Sequence, residues 1–142
     1  MREFATRNAL NKICCTTIHD EDNNWIFSDW IGFIKEEDIK NWAGPFETLI
    51  KESKCGNFLN SNLEVISTWQ SATHWIATEL LPLVIKAGLK NYAHVVPSHL
   101  FGQLSAQDLE SKIKGTSFTI RIFDDVHSAQ NWLNSMSEKD KK

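Results

Sequence analysis

Trp25-Ile26-Phe27-Ser28-Asp29-Trp30-Ile31-Gly32, followed four residues later by Glu36-Glu37-Asp38, is where the chain passes from a strand into a helix. The first stretch is rich in aromatic and β-branched side chains, which suit a pleated, half-buried backbone. The acidic trio suits the positive end of a helix dipole. Upstream, Ile13-Cys14-Cys15-Thr16-Thr17-Ile18 has the same strand-like composition, and Asp20-Glu21-Asp22-Asn23-Asn24 is a polar turn between the two. The reading is a β-hairpin over residues 12–31, with Gly32 at its exit.

Outward from this hairpin, apolar spacing alternates between helix and strand. Ile39, Trp42, Phe46, Leu49 and Ile50 recur every three or four residues, as one buried helix stripe does. Gly44-Pro45 predicts a kink or split in that helix, because proline lacks a donor and clashes one turn back. Gly56 is expected as its left-handed C-cap. Residues 57–62 read as a short strand. Ser67 and Gln70 fit a capping box, ahead of a long stripe of Trp69, Ala72, Ile76, Leu80, Leu83, Val84 and Ala87. That helix ends at Gly88, with a bend at Pro82. Residues 92–96 form a strand stopped by Pro97. Ser105 and Asp108 open another helix, which Gly115 ends. Residues 118–123 alternate at period two, and Asp124 or Asp125 caps a last helix carrying Val126, Ala129, Trp132, Leu133 and Met136.

The order is therefore β-β-α-β-α-β-α-β-α. It predicts an α/β fold: a mixed five-stranded sheet flanked by about four helices, with right-handed crossovers and the first strand antiparallel at an edge. At 142 residues the chain has the size of one domain, expected over residues 1–136 with a disordered polar tail at 137–142.

Composition excludes several classes. Residues 13–136 carry a charge of −6, so the broad basic footprint of a nucleic-acid binder is missing. The longest aliphatic stretch, Leu80 to Ile85, is far short of a membrane span, and no secretory signal is recognisable at the start. Cys14, Cys15 and Cys55 form no CxxC, which fits reduced thiols and a cytoplasmic location. Cys14 and Cys15 are expected on opposite faces of their strand, one in the core and one partly exposed. Of six tryptophans, Trp42, Trp69 and Trp132 belong to helix stripes, and Trp25, Trp30 and Trp75 are less constrained.

This organisation resembles the STAS and Sec14-like group, and small bacterial SpoIIAA-like proteins in particular. The residues that carry the resemblance are Ile26 to Gly32 with the acidic helix start, Phe58-Leu59-Asn60-Ser61-Asn62, Thr68-Trp69, Ala87-Gly88-Leu89-Lys90-Asn91-Tyr92-Ala93, and Ile122-Phe123-Asp124-Asp125 through Trp132-Leu133. The resemblance covers about residues 10–135. The resemblance implies a non-enzymatic regulatory or binding module. In STAS regulators a hydroxyl at the start of the second helix, within a pattern like Asp-Ser-Ser-Gly, is phosphorylated by a partner kinase. Here Ser67 and Thr68 keep the hydroxyls, the Asp and Gly are missing, and Trp69 follows. Sec14-like relatives imply an apolar small molecule, a lipid or a peripheral membrane contact.

Ligands of open α/β sheets approach the carboxyl ends of the parallel strands. That rule selects Asn60, Ser61 and Asn62 after one strand and Pro97, Ser98 and His99 after the next, with Ser67, Thr68 and Trp69 on the same rim. Such a rim offers amides, hydroxyls and an indole to a polar headgroup beside an apolar body, or to a protein partner. The alternative for the asparagines and Ser67 is loop and capping duty. His94 and His99 approach one strand end, but no metal-ligand spacing appears, and no cofactor is expected. A second class, a small thiol- or serine-dependent hydrolase, would use Cys15 or Ser67 with a histidine. Asp29 and Glu64 are the candidates for paired carboxylates. A third reading is a homodimer formed through exposed aromatics.

Overall fold

A computed structural model describes residues 2–66, 70–98 and 118–140, except the side chains at 70, 71, 73 and 138–140. The strands are β1 (Arg2–Arg7), β2 (Ile13–Asp20), β3 (Trp25–Gly32), β4 (Asn57–Val65), β5 (Asn91–Val95) and β6 (Thr119–Phe123). Helix α1 spans Glu36–Ser53. A second helical body consists of α2 (Gln70–Trp75), a π-helical turn (Ile76–Leu80) and α3 (Leu81–Ala87). Helix α4 spans Val126–Asp140 and so continues past Ser137, where the sequence suggested a disordered tail.

The sheet has six strands in the order β1-β2-β3-β4-β5-β6, not five. β1 to β3 are antiparallel neighbours, and β3 to β6 run parallel. The expected hairpin is β2–β3, but β2 is not the edge: β1 lies outside it. Arg2-Glu3-Phe4-Ala5-Thr6-Arg7 buries only Thr6 well, so the ladder to β2 defines this strand rather than its apolar content. The expected helix from Ser105 to Gly115 lies outside the described residues. Among those described, no helix is long and apolar enough to cross a membrane.

Two layers cover the sheet. On one face, α1 and the α2–α3 body pack over Ile26, Trp30, Phe58 and Tyr92. Trp42 stacks on Phe46 at 4.2 Å between centroids, Phe46 meets Phe58 at 4.5 Å, and Phe58 meets Tyr92 at 4.9 Å. On the other face, α4 sets Ala129 and Leu133 against Trp25, Leu59, Ala93 and Val95. Asp125 caps α4, as expected, by accepting the Ser128 N–H at 2.7 Å. That bond holds its carboxyl below the usual carboxylate range.

Proline acts differently in the two helical bodies. Pro45 does not split α1. It lies on the exposed side, near Asn41, whose freed carbonyl can meet water, while Ile39, Trp42, Phe46 and Ile50 hold the other side. Pro82, by contrast, follows a π-turn in which the Leu81 N–H bonds the Ile76 carbonyl. The wider turn accommodates a residue that has no N–H to give and that crowds the carbonyl four residues back.

The glycines also depart from expectation. The left-handed residue after α1 is Lys54, at φ 56°, not Gly56. Gly56 instead allows a close approach: a Cβ there would lie 3.2 Å from the Gly88 carbonyl oxygen. Its own carbonyl accepts the N–H groups of Lys90 at 2.8 Å and Asn91 at 2.9 Å. Gly88 ends α3 at φ 126°, a backbone that L-residues rarely adopt. Gly88→Ala should therefore lower the urea-unfolding free energy by about 1–2 kcal/mol, although the site has space for a methyl group. A variant as stable as the parent would show that this turn relaxes.

Candidate functional site

The sequence places Asn60, Ser61 and Asn62 on a rim, but the structure places them inside β4. The strand runs on to Val65, and all three side chains are buried, Asn60 completely at 0% exposure. Alternation along the strand puts Asn60 and Asn62 under α1 and α2–α3, and Ser61 on the α4 side. The rim itself is farther along the strand, at Val65 and Ile66. Ser67, Thr68, Trp69 and His99 lie outside the described residues.

Asn60 is instead the centre of a buried polar seam across three strands. The Trp30 indole N–H donates to Asn60 Oδ1 at 2.8 Å. Asn60 Nδ2 donates to Asn62 Oδ1 and to His94 Nδ1, both at 3.1 Å. The Tyr92 hydroxyl also reaches His94 Nδ1, at 3.2 Å. Accepting these donors fixes His94 as a neutral imidazole. Burial lowers its pKa to about 3 and pushes the Tyr92 phenol up. A second knot lies on β2 and β3, where Thr17 Oγ1 meets Ser28 Oγ at 2.8 Å and accepts the Trp42 indole N–H at 3.0 Å. Trp25 and Trp30, which the sequence left unconstrained, are both core residues, and Trp75 is half-buried, with Lys40 5.6 Å over its ring.

Beside the seam is an apolar cavity of about 20 Å³, bounded by Trp30, Trp42, Phe46, Phe58, Tyr92 and the π-turn residue Ile76, among others. It has room for about one water molecule, and its walls give that water no polar partners. It is a packing defect, not a ligand chamber.

The thiols are shielded. Cys14 and Cys15 do not face opposite ways: both are buried in the same core. Thr6 pairs with Cys15 and Arg7 with Ile13, so Cys14 is the extra residue of a β-bulge that the sequence does not announce. Cys15 Sγ bonds the Thr17 hydroxyl and the Thr16 carbonyl, and burial pushes its pKa up to about 12. No thiolate is available there at neutral pH. Asp29 is raised by burial and then by Glu64, so these two carboxylates do lie near one another. Among the described residues, no group of three or more His, Cys, Asp or Glu side chains could hold a metal ion.

No family model, curated protein or solved structure matches this chain.

Among the described residues, exposed apolar side chains gather at the carboxyl edge. Leu10 is 77% exposed, Phe33 60% and Ile66 78%, with Ile13, Ile31 and Leu63 partly exposed beside them. No sequence motif marks these side chains: Phe33 is followed by the core residue Ile34, and Ile66 follows the core residue Val65.

The buried histidine carries a pH signature. The unfolded chain takes up a proton at His94 near pH 6.5, whereas the folded chain does so only near pH 3. Its contribution to stability is complete above the upper value and falls as the pH drops toward the lower, by up to about 1.4 kcal/mol per unit. Urea unfolding between pH 7 and pH 4 should show this loss in the parent, and His94→Gln should remove that share of the slope. Identical slopes would mean that His94 titrates at the same pH in the folded and unfolded chains, and so is not shielded in the fold.

Proposed function

We propose that this chain is a non-enzymatic binding or regulatory module of the STAS/SpoIIAA-like kind, which engages an apolar partner through the carboxyl edge of its sheet. The alternation of parallel strands with helices supports the family reading. The observation that carries the site is where the exposed apolar side chains lie. Among the described residues, seven large apolar side chains are exposed, and six of them (Leu10, Ile13, Ile31, Phe33, Leu63 and Ile66) are at the carboxyl-edge ends and turns of β1 to β4. Scattered exposed apolar residues need no explanation, but a cluster marks a contact surface. The shielded Cys15 and the dry interior cavity favour binding over thiol chemistry.

The edge is held in shape before any partner arrives. Asn8 Oδ1 accepts the N–H groups of Leu10 at 2.9 Å and Lys12 at 3.1 Å, and Asn11 takes a left-handed backbone at φ 61°. The Ile66 N–H bonds the Gly32 carbonyl at 3.0 Å, which joins the chain after β4 to the turn that carries Phe33. The Lys35 N–H bonds Asp38 Oδ2 at 2.9 Å and fixes the start of α1. Little ordering entropy is left to lose on binding.

An environment-sensitive apolar dye tests this reading. The folded protein should enhance its fluorescence, and Leu10→Ser/Phe33→Ser/Ile66→Ser should lose most of that signal. Each substitution is exposed and should change stability by no more than about 0.5 kcal/mol. Equal dye binding by parent and variant, at equal circular dichroism and urea midpoint, would contradict a functional apolar edge.

A further inference from the structure

β1 is the outermost strand on its side of the sheet, and its outer edge has no strand beside it among the described residues. The phase of its backbone is fixed at two points. The Asn8 N–H bonds the Lys12 carbonyl at 2.9 Å, and the Thr6 carbonyl accepts the Cys14 thiol at 3.5 Å, so both residues turn backbone groups toward β2. Backbone direction alternates along an antiparallel strand. Glu3, Ala5 and Arg7 therefore turn N–H and C=O outward, and all three are exposed. Their side chains share the face away from α1, because Phe4 packs on the α1 side.

An open edge is a template for a further strand. Charge decides which strand fits this one. Arg2 pairs with Glu52 on α1 at 2.6 Å. Glu3 and Arg7 make no ion pair among the described residues. The Arg7 guanidinium bonds a neutral group, the Asn11 carbonyl, at 2.9 Å. Asp29, on the same face, is two strands in, beyond Thr16. An acid and a base thus stand on either side of Ala5, at equal spacing. A second β1 laid antiparallel, with Ala5 opposite Ala5, sets Glu3 opposite the partner's Arg7 and Arg7 opposite the partner's Glu3. These are also the outward-turned residues, so the same pairs exchange the backbone bonds. Side chains directly opposite one another are about 5 Å apart at Cβ, where unlike charges attract. On the other face, the partly buried Phe4 falls opposite the partner's Thr6. A slide of two residues puts Glu3 opposite Ala5 and loses both ion pairs. β6, at the other side of the sheet, carries one charge, Arg121, which lies over Phe123 and Trp132 and has no such symmetry.

We propose that β1 is a homodimerisation edge, which pairs antiparallel with β1 of a second copy about a two-fold axis at Ala5 and joins two sheets into one. The strand backbone makes the contact, not exposed aromatic side chains. Six-residue strands bury less than a standard interface of about 1,200–2,000 Å², so the dimer exchanges with monomer. The two-fold axis reverses the strand direction. The two carboxyl edges therefore face opposite ways, and Leu10, Phe33 and Ile66 stay outside the contact. The dimer does not depend on the apolar-edge reading.

Sedimentation velocity over a dilution series tests it. The parent should be dimeric when concentrated and dissociate on dilution. Glu3→Arg and Arg7→Glu each set like charges opposite one another, and each should weaken the dimer roughly tenfold. Their urea midpoints should match the parent's at a concentration where all are monomeric. An equal mixture of the two variants regains both ion pairs in the mixed dimer and should recover the parent's affinity. Ala5→Cys should cross-link into a covalent dimer on mild oxidation. Thr16→Cys, exposed on the neighbouring strand, is too far from its own copy to do so, and Cys14, Cys15 and Cys55 are buried. Leu10→Ser/Phe33→Ser/Ile66→Ser should dimerise like the parent. A parent monomeric up to about 1 mM, charge variants that dimerise as well as the parent, or a mixture no better than its components would each overturn the pairing. So would Thr16→Cys cross-linking as fast as Ala5→Cys. Loss of the dimer in the triple apolar variant would move the contact to the carboxyl edge and overturn it too.

Discussion

The amide of Asn60 ties the central sheet together. It accepts from Trp30 on β3 and donates toward His94 on β5, so one side chain on β4 bonds to both neighbouring strands. The buried Trp30 indole N–H finds its acceptor in Asn60, which also bonds the buried Asn62 and His94. Each, if orphaned, would cost about 1–3 kcal/mol. The apolar packing depends on the same bonds. Trp30 sits edge-on to Trp42 at 5.2 Å, and Trp42 stacks on Phe46. Trp42 is held from its other end by Thr17. The seam thus sets the positions of the rings that dock α1, and it gives the interior direction where dispersion alone would not.

The functional consequence is a division of labour between inside and edge. Among the described residues, the interior polar groups bond to one another, the interior thiols are protonated, and the cavity beside Trp30 and Tyr92, at about 20 Å³, has room for about one water molecule. Asn60, Asn62, His94 and Cys15 are buried and hydrogen-bonded within the core. Among the described residues, the carboxyl edge presents apolar side chains on turns closed by Asn8, Gly32 and Asp38. On the proposed reading, the sheet holds these short apolar turns in place for a partner.

Much of the fold was legible because it is written locally. The β2–β3 hairpin, the α1 stripe, the parallel alternation and the Asp125 cap all follow from neighbours within a few residues. β1 was not legible, since an edge strand needs only a backbone partner. Neither was the shared burial of Cys14 and Cys15, which depends on a bulge. The candidate site was misplaced for a related reason. Asparagine is rare inside strands, so Asn60 and Asn62 read as the carboxyl end of a short strand rather than as the middle of one that runs on to Val65. Their burial is explained by Trp30 and His94, 30 and 34 residues away from Asn60 in sequence, beyond what spacing reveals. The exposed edge was not legible because Leu10, Phe33 and Ile66 belong to no motif, and Phe33 and Ile66 adjoin core residues Ile34 and Val65 from which sequence does not separate them.

The central claim is that β4's asparagines are bonding partners of the core rather than ligand contacts. A double-mutant cycle of Trp30→Phe and Asn60→Leu, read by urea unfolding, tests it most directly. The account predicts that the two substitutions are coupled by about 1–3 kcal/mol, the double variant losing less than the sum of the singles. Additivity to within about 0.5 kcal/mol would contradict it, because the indole and the amide would then contribute to stability independently.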